Sequence, residues 1–266
     1  MNNKLKNKIV LITKAKSESA QEVEVLQSAG AAVISFPTIK IIQNILDEEK
    51  LSRLSKWNSY DFLIFTSVNA VRYFRKFIKS DKTKNGVKII CTGSKTKEAS
   101  ERQNIEVDLV PDEFSAKGIL NLLADFNVQN KKILIPSSAI ARTELRDGLK
   151  ELGAFVDFIP VYNVVMPAVE EYSELLEKCK AIEPDILLFT SPSSFNNYLK
   201  IFEVTEKENY FKNKLIVAIG NTTAAAIEAQ DLKVDILPSN FTLMDTVNEI
   251  MKFNYETILK RKSLQT

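Results

Sequence analysis

The chain is written twice. Lys8–Ile9–Val10–Leu11–Ile12, a helical stretch, Gly30 and a β-like run to Pro37 return as Lys131–Lys132–Ile133–Leu134–Ile135, a helical stretch, Gly153 and a β-like run to Pro160. Phe65–Thr66–Ser67 returns as Phe189–Thr190–Ser191, and Thr92–Gly93–Ser94–Lys95–Thr96 as Ile219–Gly220–Asn221–Thr222–Thr223. Leu109–Val110–Pro111–Asp112–Glu113–Phe114 returns as Ile236–Leu237–Pro238–Ser239–Asn240–Phe241. A duplicated chain is expected to build two similar domains, and a cleft between two domains is a preferred place to hold a ligand.

What the chain lacks narrows the chemistry. None of its 266 residues is histidine, which removes the commonest general base, any Ser–His or Cys–His nucleophilic pair and most transition-metal sites. Its seven glycines form neither a Gly-x-Gly-x-x-Gly nor a Gly-Lys-Ser/Thr phosphate loop. A net charge of +2, with lysines and arginines scattered rather than striped, gives no mandate for nucleic acid, and the basic tail Lys260–Arg261–Lys262 reads as a solvated end. The polar stretch from Met1 to Lys8 leads straight into a strand, so neither a signal peptide nor a membrane span is expected, and the cytoplasm is the expected location. Cys91 sits in an apolar run and reads as a buried strand residue.

Short apolar runs alternate with helical patterns, as parallel sheets built from βαβ units require. Ile9–Ile12, Phe62–Phe65, Ile89–Cys91, Ile133–Ile135, Ile186–Phe189 and Val217–Ile219 read as buried strands. Helices are expected over Gln21–Ser28 and Thr143–Leu152, ended by Gly30 and Gly153 in the left-handed conformation, and over Ala70–Ile78, Lys97–Arg102, Ala116–Leu123, Ser194–Ile201, Ala224–Ala229 and Leu243–Lys252. Asn104 and Asp231 stand where a helix-ending glycine is expected, and both types tolerate positive φ. The extended stretches Ile39–Asn44 and Val161–Pro167 are the linker candidates.

Hydroxyl-rich clusters follow the strands: Thr66–Ser67–Val68–Asn69, Ser94–Lys95–Thr96, Ser137–Ser138, Thr190–Ser191–Pro192–Ser193 and Asn221–Thr222–Thr223. In open α/β sheets such corners lie at the carboxyl ends of strands, where ligands bind, and free first-turn amides attract anions. The plainer reading of each cluster is helix N-capping. Tyr162, in the second linker, is either a packing residue or, at a cleft rim, a neutral phenol able to donate a proton. Asp61 and Asp185 each precede a strand and suggest a turn or capping role at the sheet's opposite edge.

The ordered set Phe65–Thr66–Ser67–Val68–Asn69–Ala70–Val71, Val161–Tyr162, Phe189–Thr190–Ser191–Pro192–Ser193 and Ala218–Ile219–Gly220–Asn221–Thr222–Thr223–Ala224 resembles the uroporphyrinogen-III synthase family, from Lys8 to about Lys252. The resemblance implies a cofactor-free lyase without metal, closing the linear tetrapyrrole hydroxymethylbilane into uroporphyrinogen III in haem biosynthesis. Water is lost and ring D inverted through a spirocyclic intermediate. Tyr162 matches the tyrosine proposed to assist departure of the hydroxyl, and Thr96, Ser191 and Thr223 match cleft hydroxyls. Thr66, Ser67, Ser137, Ser193 and Thr222 join them as expected substrate-binding residues.

The fold so implied is α/β: two similar flavodoxin-like parallel-sheet domains joined by a two-stranded β linker, with the active-site cleft between them. Residues 1–37 plus 167–266 form the first domain, 40–162 the inserted second, and 38–40 and 162–167 the linkers. Neither nucleic acid nor membrane is an expected partner, and the one protein contact left open is a transient one with the preceding enzyme of the pathway. The rival readings are a cytosolic two-lobed binding protein for a small anion and an inactive homologue.

Overall fold

The computed structural model describes residues 5–78 and 86–253, so the basic tail at Lys260–Lys262 lies outside the described residues. The first elements are β1 (Ile9–Ile12), α1 (Ala20–Ser28), β2 (Ala32–Ser35), β3 (Lys40–Gln43) and α2 (Glu48–Ser55). Then come β4 (Phe62–Phe65), α3 (Val68–Phe77), β5 (Lys88–Cys91), α4 (Ser94–Glu101), α5 (Ala116–Ala124), β6 (Lys132–Ser138), α6 (Glu144–Glu151) and β7 (Phe155–Val165). The chain continues through α7 (Val169–Ile182), β8 (Ile186–Phe189), α8 (Pro192–Ile201), α9 (Lys207–Phe211), β9 (Leu215–Ala218), α10 (Asn221–Glu228) and α11 (Leu243–Lys252).

Two compact units result. One joins Met1–Lys40 to Met166–Thr266, and the other is Ile41–Val165. The first holds a sheet of order β2-β1-β8-β9, the second a sheet of order β3-β7-β6-β4-β5. Pairing is parallel between β1 and both β2 and β8, and between β8 and β9. It is parallel again between β6 and both β7 and β4, and between β4 and β5. Isolated parallel bridges extend both sheets by the same step, Val217 to Ile236 and Ile90 to Leu109.

The units are therefore built by exchange. The early part of the first sequence copy (β1, β2) pairs with the late part of the second (β8, β9), while β4 and β5 of the first pair with β6 and β7 of the second. Both sheets follow the flavodoxin-like order, so each has a switch point: between β1 and β8 in one unit, between β6 and β4 in the other.

Alternating strand side chains explain the packing. Leu11 joins one cluster with Phe36, Phe189 and Tyr198, while Val10 and Ile12 join another with Val23, Leu26 and Val247 on the opposite face. Leu63 and Phe65 likewise face away from Phe62 and Ile64. Sheets covered on both faces need strands apolar throughout, as β4, β8 and β9 are, and each large side chain contributes about 1.5–3 kcal/mol by burial.

Helix ends follow the residues that specify them. Gly30 (φ 93°) and Gly153 (φ 83°) stop α1 and α6, and Asn104 and Asp231 adopt positive φ after α4 and α10. At the opposite edge from the corners, Asp61 accepts from the Lys132 amide (2.8 Å) and Lys131 Nζ (2.9 Å). Asp185 does the same with the Ile9 amide (2.8 Å) and Lys8 Nζ (3.3 Å). Partial burial raises the pKa of Asp61, but these donors outweigh it and hold the carboxyl below its ordinary range.

The extended pattern expected beyond Pro160 is strand: β7 continues to Val165. A proline gives no ladder N–H, and the register shifts where Ser137 pairs with Pro160 but Ser138 with Tyr162. Strand β9 ends at Ala218, so Ile219 belongs to the corner. Helices α2, α7 and α9 occupy stretches that carried no helical expectation.

Candidate active site

Beta-strand ends at the switch points gather the polar residues. In the second unit Ser67 N-caps α3, its hydroxyl accepting from the Ala70 amide (3.0 Å), and the same oxygen lies 3.1 Å from the Tyr162 hydroxyl. Thr66 beside it is exposed. The Tyr162 ring is 8% exposed, so it belongs to the unit's core rather than to an open rim. It stacks on Tyr73 at 5.6 Å between centroids, and Tyr73 donates to the Ile41 carbonyl (2.7 Å). The Arg72 guanidinium and Lys76 ammonium stand over the Tyr73 ring at 5.0 and 4.6 Å.

Ser137 corrects the corner reading. It is the penultimate residue of β6, buried, and α6 begins only at Glu144. Its hydroxyl donates to the Ser138 carbonyl (3.1 Å), because the strand runs on through the bulge opposite Tyr162. Thr96 and Thr223 are also buried, in the first turn of α4 and α10. Those helices are capped by Gly93 and Gly220, which supply no side-chain acceptor. Their opening amides thus have no cap from the residue before the helix.

In the first unit Ser191 N-caps α8, accepting from the Ser194 amide (3.0 Å), with Pro192 at the first helical position. Ser194, which no sequence motif marks as a site residue, is a hub. Its hydroxyl donates to the Ser191 carbonyl (2.8 Å) and accepts from the Ser191 (3.0 Å) and Thr190 (3.2 Å) amides. Thr13, at the end of β1, lies 3.1 Å away and shares its proton between Ser194 Oγ and the Leu188 carbonyl (3.0 Å). Thr38 donates to the Ser194 carbonyl (3.0 Å). Thr13, Thr38 and Ser194 are wholly buried, so the network fixes the β8–α8 corner from beneath.

Above that corner is a cavity of about 390 Å³ lined by Thr190, Ser191, Pro192, residues 219–223 and Phe241. It brings Ser191, Thr222 and Thr223 together, while exposed Ser193 lies outside its lining. Neither cysteine is available as a thiolate: burial pushes Cys91 up to about 12 and Cys179 to about 11. No described helix is long and apolar enough to cross a membrane.

Fold and corners define a duplicated, doubly wound α/β protein whose polar chemistry collects at the carboxyl ends of its strands. The family model of uroporphyrinogen-III synthase HemD matches residues 20–248, and the chain belongs to that family, whose members are enzymes of tetrapyrrole synthesis. It is 26% identical over 243 residues to a putative uroporphyrinogen-III synthase of Methanothermobacter thermautotrophicus, covering 89% of this chain and 94% of that one. The uroporphyrinogen-III synthase of Chlorobaculum parvum is 27% identical over 247 residues, covering 88% and 94%. Among solved structures, uroporphyrinogen-III synthetase from Helicobacter pylori superposes with a TM-score of 0.64 at 18% identity over 93% of this chain and 100% of that one. A mutant uroporphyrinogen III synthase from Thermus thermophilus gives 0.61 at 15%, over 96% and 99%. At such identities the structural likeness establishes the fold.

Proposed function

We propose that this chain is a lyase that closes hydroxymethylbilane to uroporphyrinogen III, with loss of water and inversion of ring D. The Tyr162–Ser67 contact at the β4 corner is the observation that carries this reading for the site. If Ser67 donates to the phenol oxygen, the phenol proton is left for the substrate's hydroxyl. The carbon–oxygen bond then breaks, water leaves, and the pyrrole nitrogen's lone pair stabilises the azafulvene cation. Attack from ring D through a spirocyclic intermediate and final loss of a proton complete the balance.

Nothing in that sequence demands a histidine, and the chain has none. Its main requirement is a flexible substrate held so that the right carbon is attacked. The substrate's eight carboxylates suit the hydroxyl-lined, glycine-capped corners present in each unit. Complementation of a synthase-deficient strain tests the reading. Restored haem formation is expected; a folded, expressed chain that leaves the strain deficient would overturn it.

A further inference from the structure

We infer that Phe241, with Phe114 as its counterpart, is a positioning residue whose ring lies against one pyrrole of the substrate. The inference rests on the synthase reading. Gly220 has φ −174° and Gly93 φ −165°, extended conformations open to any residue, so backbone shape does not demand glycine. Close approach favours it. A Cβ on Gly220 would stand 3.2 Å from Phe241 Cγ, and one on Gly93 would stand 3.0 Å from the Phe114 ring. Each phenyl is therefore laid directly on the backbone that caps a helix.

Rings packed that closely are usually covered, yet Phe241 is 54% exposed and Phe114 61%. A single exposed phenylalanine is ordinary. The same exposed ring on the same glycine in both units is not, because the two residues just before each ring have diverged while the ring is kept. Asp112–Glu113 stands against Ser239–Asn240, and Ser94–Lys95 against Asn221–Thr222. Phe241 also lines the cavity with Ser191 and Thr222, which makes the apolar ring continuous with the hydroxyl corner. A pyrrole bearing carboxylates has the matching pair of chemistries: a flat apolar face for the phenyl and acidic arms for hydroxyls and amides.

The test is steady-state kinetics of the full chain with fresh hydroxymethylbilane, reading KM, kcat and the share of type III product. Phe241→Ala should raise KM about tenfold, the scale of uncovering half a phenylalanine side chain, with more substrate lost to type I product. Phe241→Tyr, which keeps the face, should restore KM. Phe241→Leu, which keeps apolar packing on Gly220, decides the matter should the alanine variant not fold; its KM should rise about threefold. Wild-type KM in Phe241→Ala, or in folded Phe241→Leu, overturns the inference. So does a change of sedimentation alone, which would assign the ring to self-association. A wild-type chain making only type I product would instead sink the synthase reading itself.

Discussion

Removing the Ser194 hydroxyl should damage the β8–α8 corner by an amount the hydrogen bonds allow one to work out. In Ser194→Ala the Thr190 amide keeps Thr13 Oγ1 (3.2 Å) and Thr13 keeps the Leu188 carbonyl (3.0 Å). The Ser191 carbonyl keeps the Phe195 amide (3.2 Å). The loss therefore falls on the Ser191 amide, a half-buried donor left without its 3.0 Å partner. That costs about 1–3 kcal/mol, reduced by about 0.5 kcal/mol because alanine is the better helix former. A net loss of roughly 1–2 kcal/mol lowers the melting temperature by about 2–8 °C in a protein of this size. Urea denaturation should show the midpoint falling at constant m. Because the same hydroxyl fixes the corner under Ser191, KM should rise with it. A double-mutant cycle with Thr13→Ala should give a coupling of at least about 0.5 kcal/mol. A stability change below 0.5 kcal/mol with unchanged KM would refute this account of the corner.

Tyr162→Phe should slow turnover about 10²–10⁴-fold. It should cost no more than about 1 kcal/mol of stability, since Ser67 keeps its capping bond to Ala70; unchanged kcat removes the phenol from the chemistry. Gly118→Ala should destabilise the second unit despite alanine's better helix propensity, because the new Cβ would lie 1.9 Å from the Glu113 carbonyl oxygen. Thermal melting checks it, and a melting point at or above wild type contradicts the packing described there.

Strands buried on both faces were legible because nothing polar interrupts them: β1, β4 and β8 begin and end where their apolar runs do. Helices α2 and α7 were not, because they bury so little. Leu54 is the only residue of α2 buried from water, and in α7 only Leu176 and Cys179 are, amid glutamates and lysines. Pro160 sits inside β7 for a physical reason, since a strand tolerates proline where a bulge breaks the ladder. At the site, Ser67 and Ser191 announced themselves as caps directly before helices. Thr13 and Ser194 could not, lying 181 residues apart in sequence and meeting only because β1 and β8 are neighbours. Phe114 and Phe241 were visible as a repeat, but their exposure and their seat on glycine belong to the folded chain.

In the proposed function, these corners and Tyr162 direct a tetrapyrrole to one of two isomers. Purified chain mixed with freshly prepared hydroxymethylbilane, followed by separation of the cyclised products, measures this directly. Predominantly type III uroporphyrinogen, formed faster than spontaneous closure, is the result predicted. Type I product alone, at the uncatalysed rate, would contradict it.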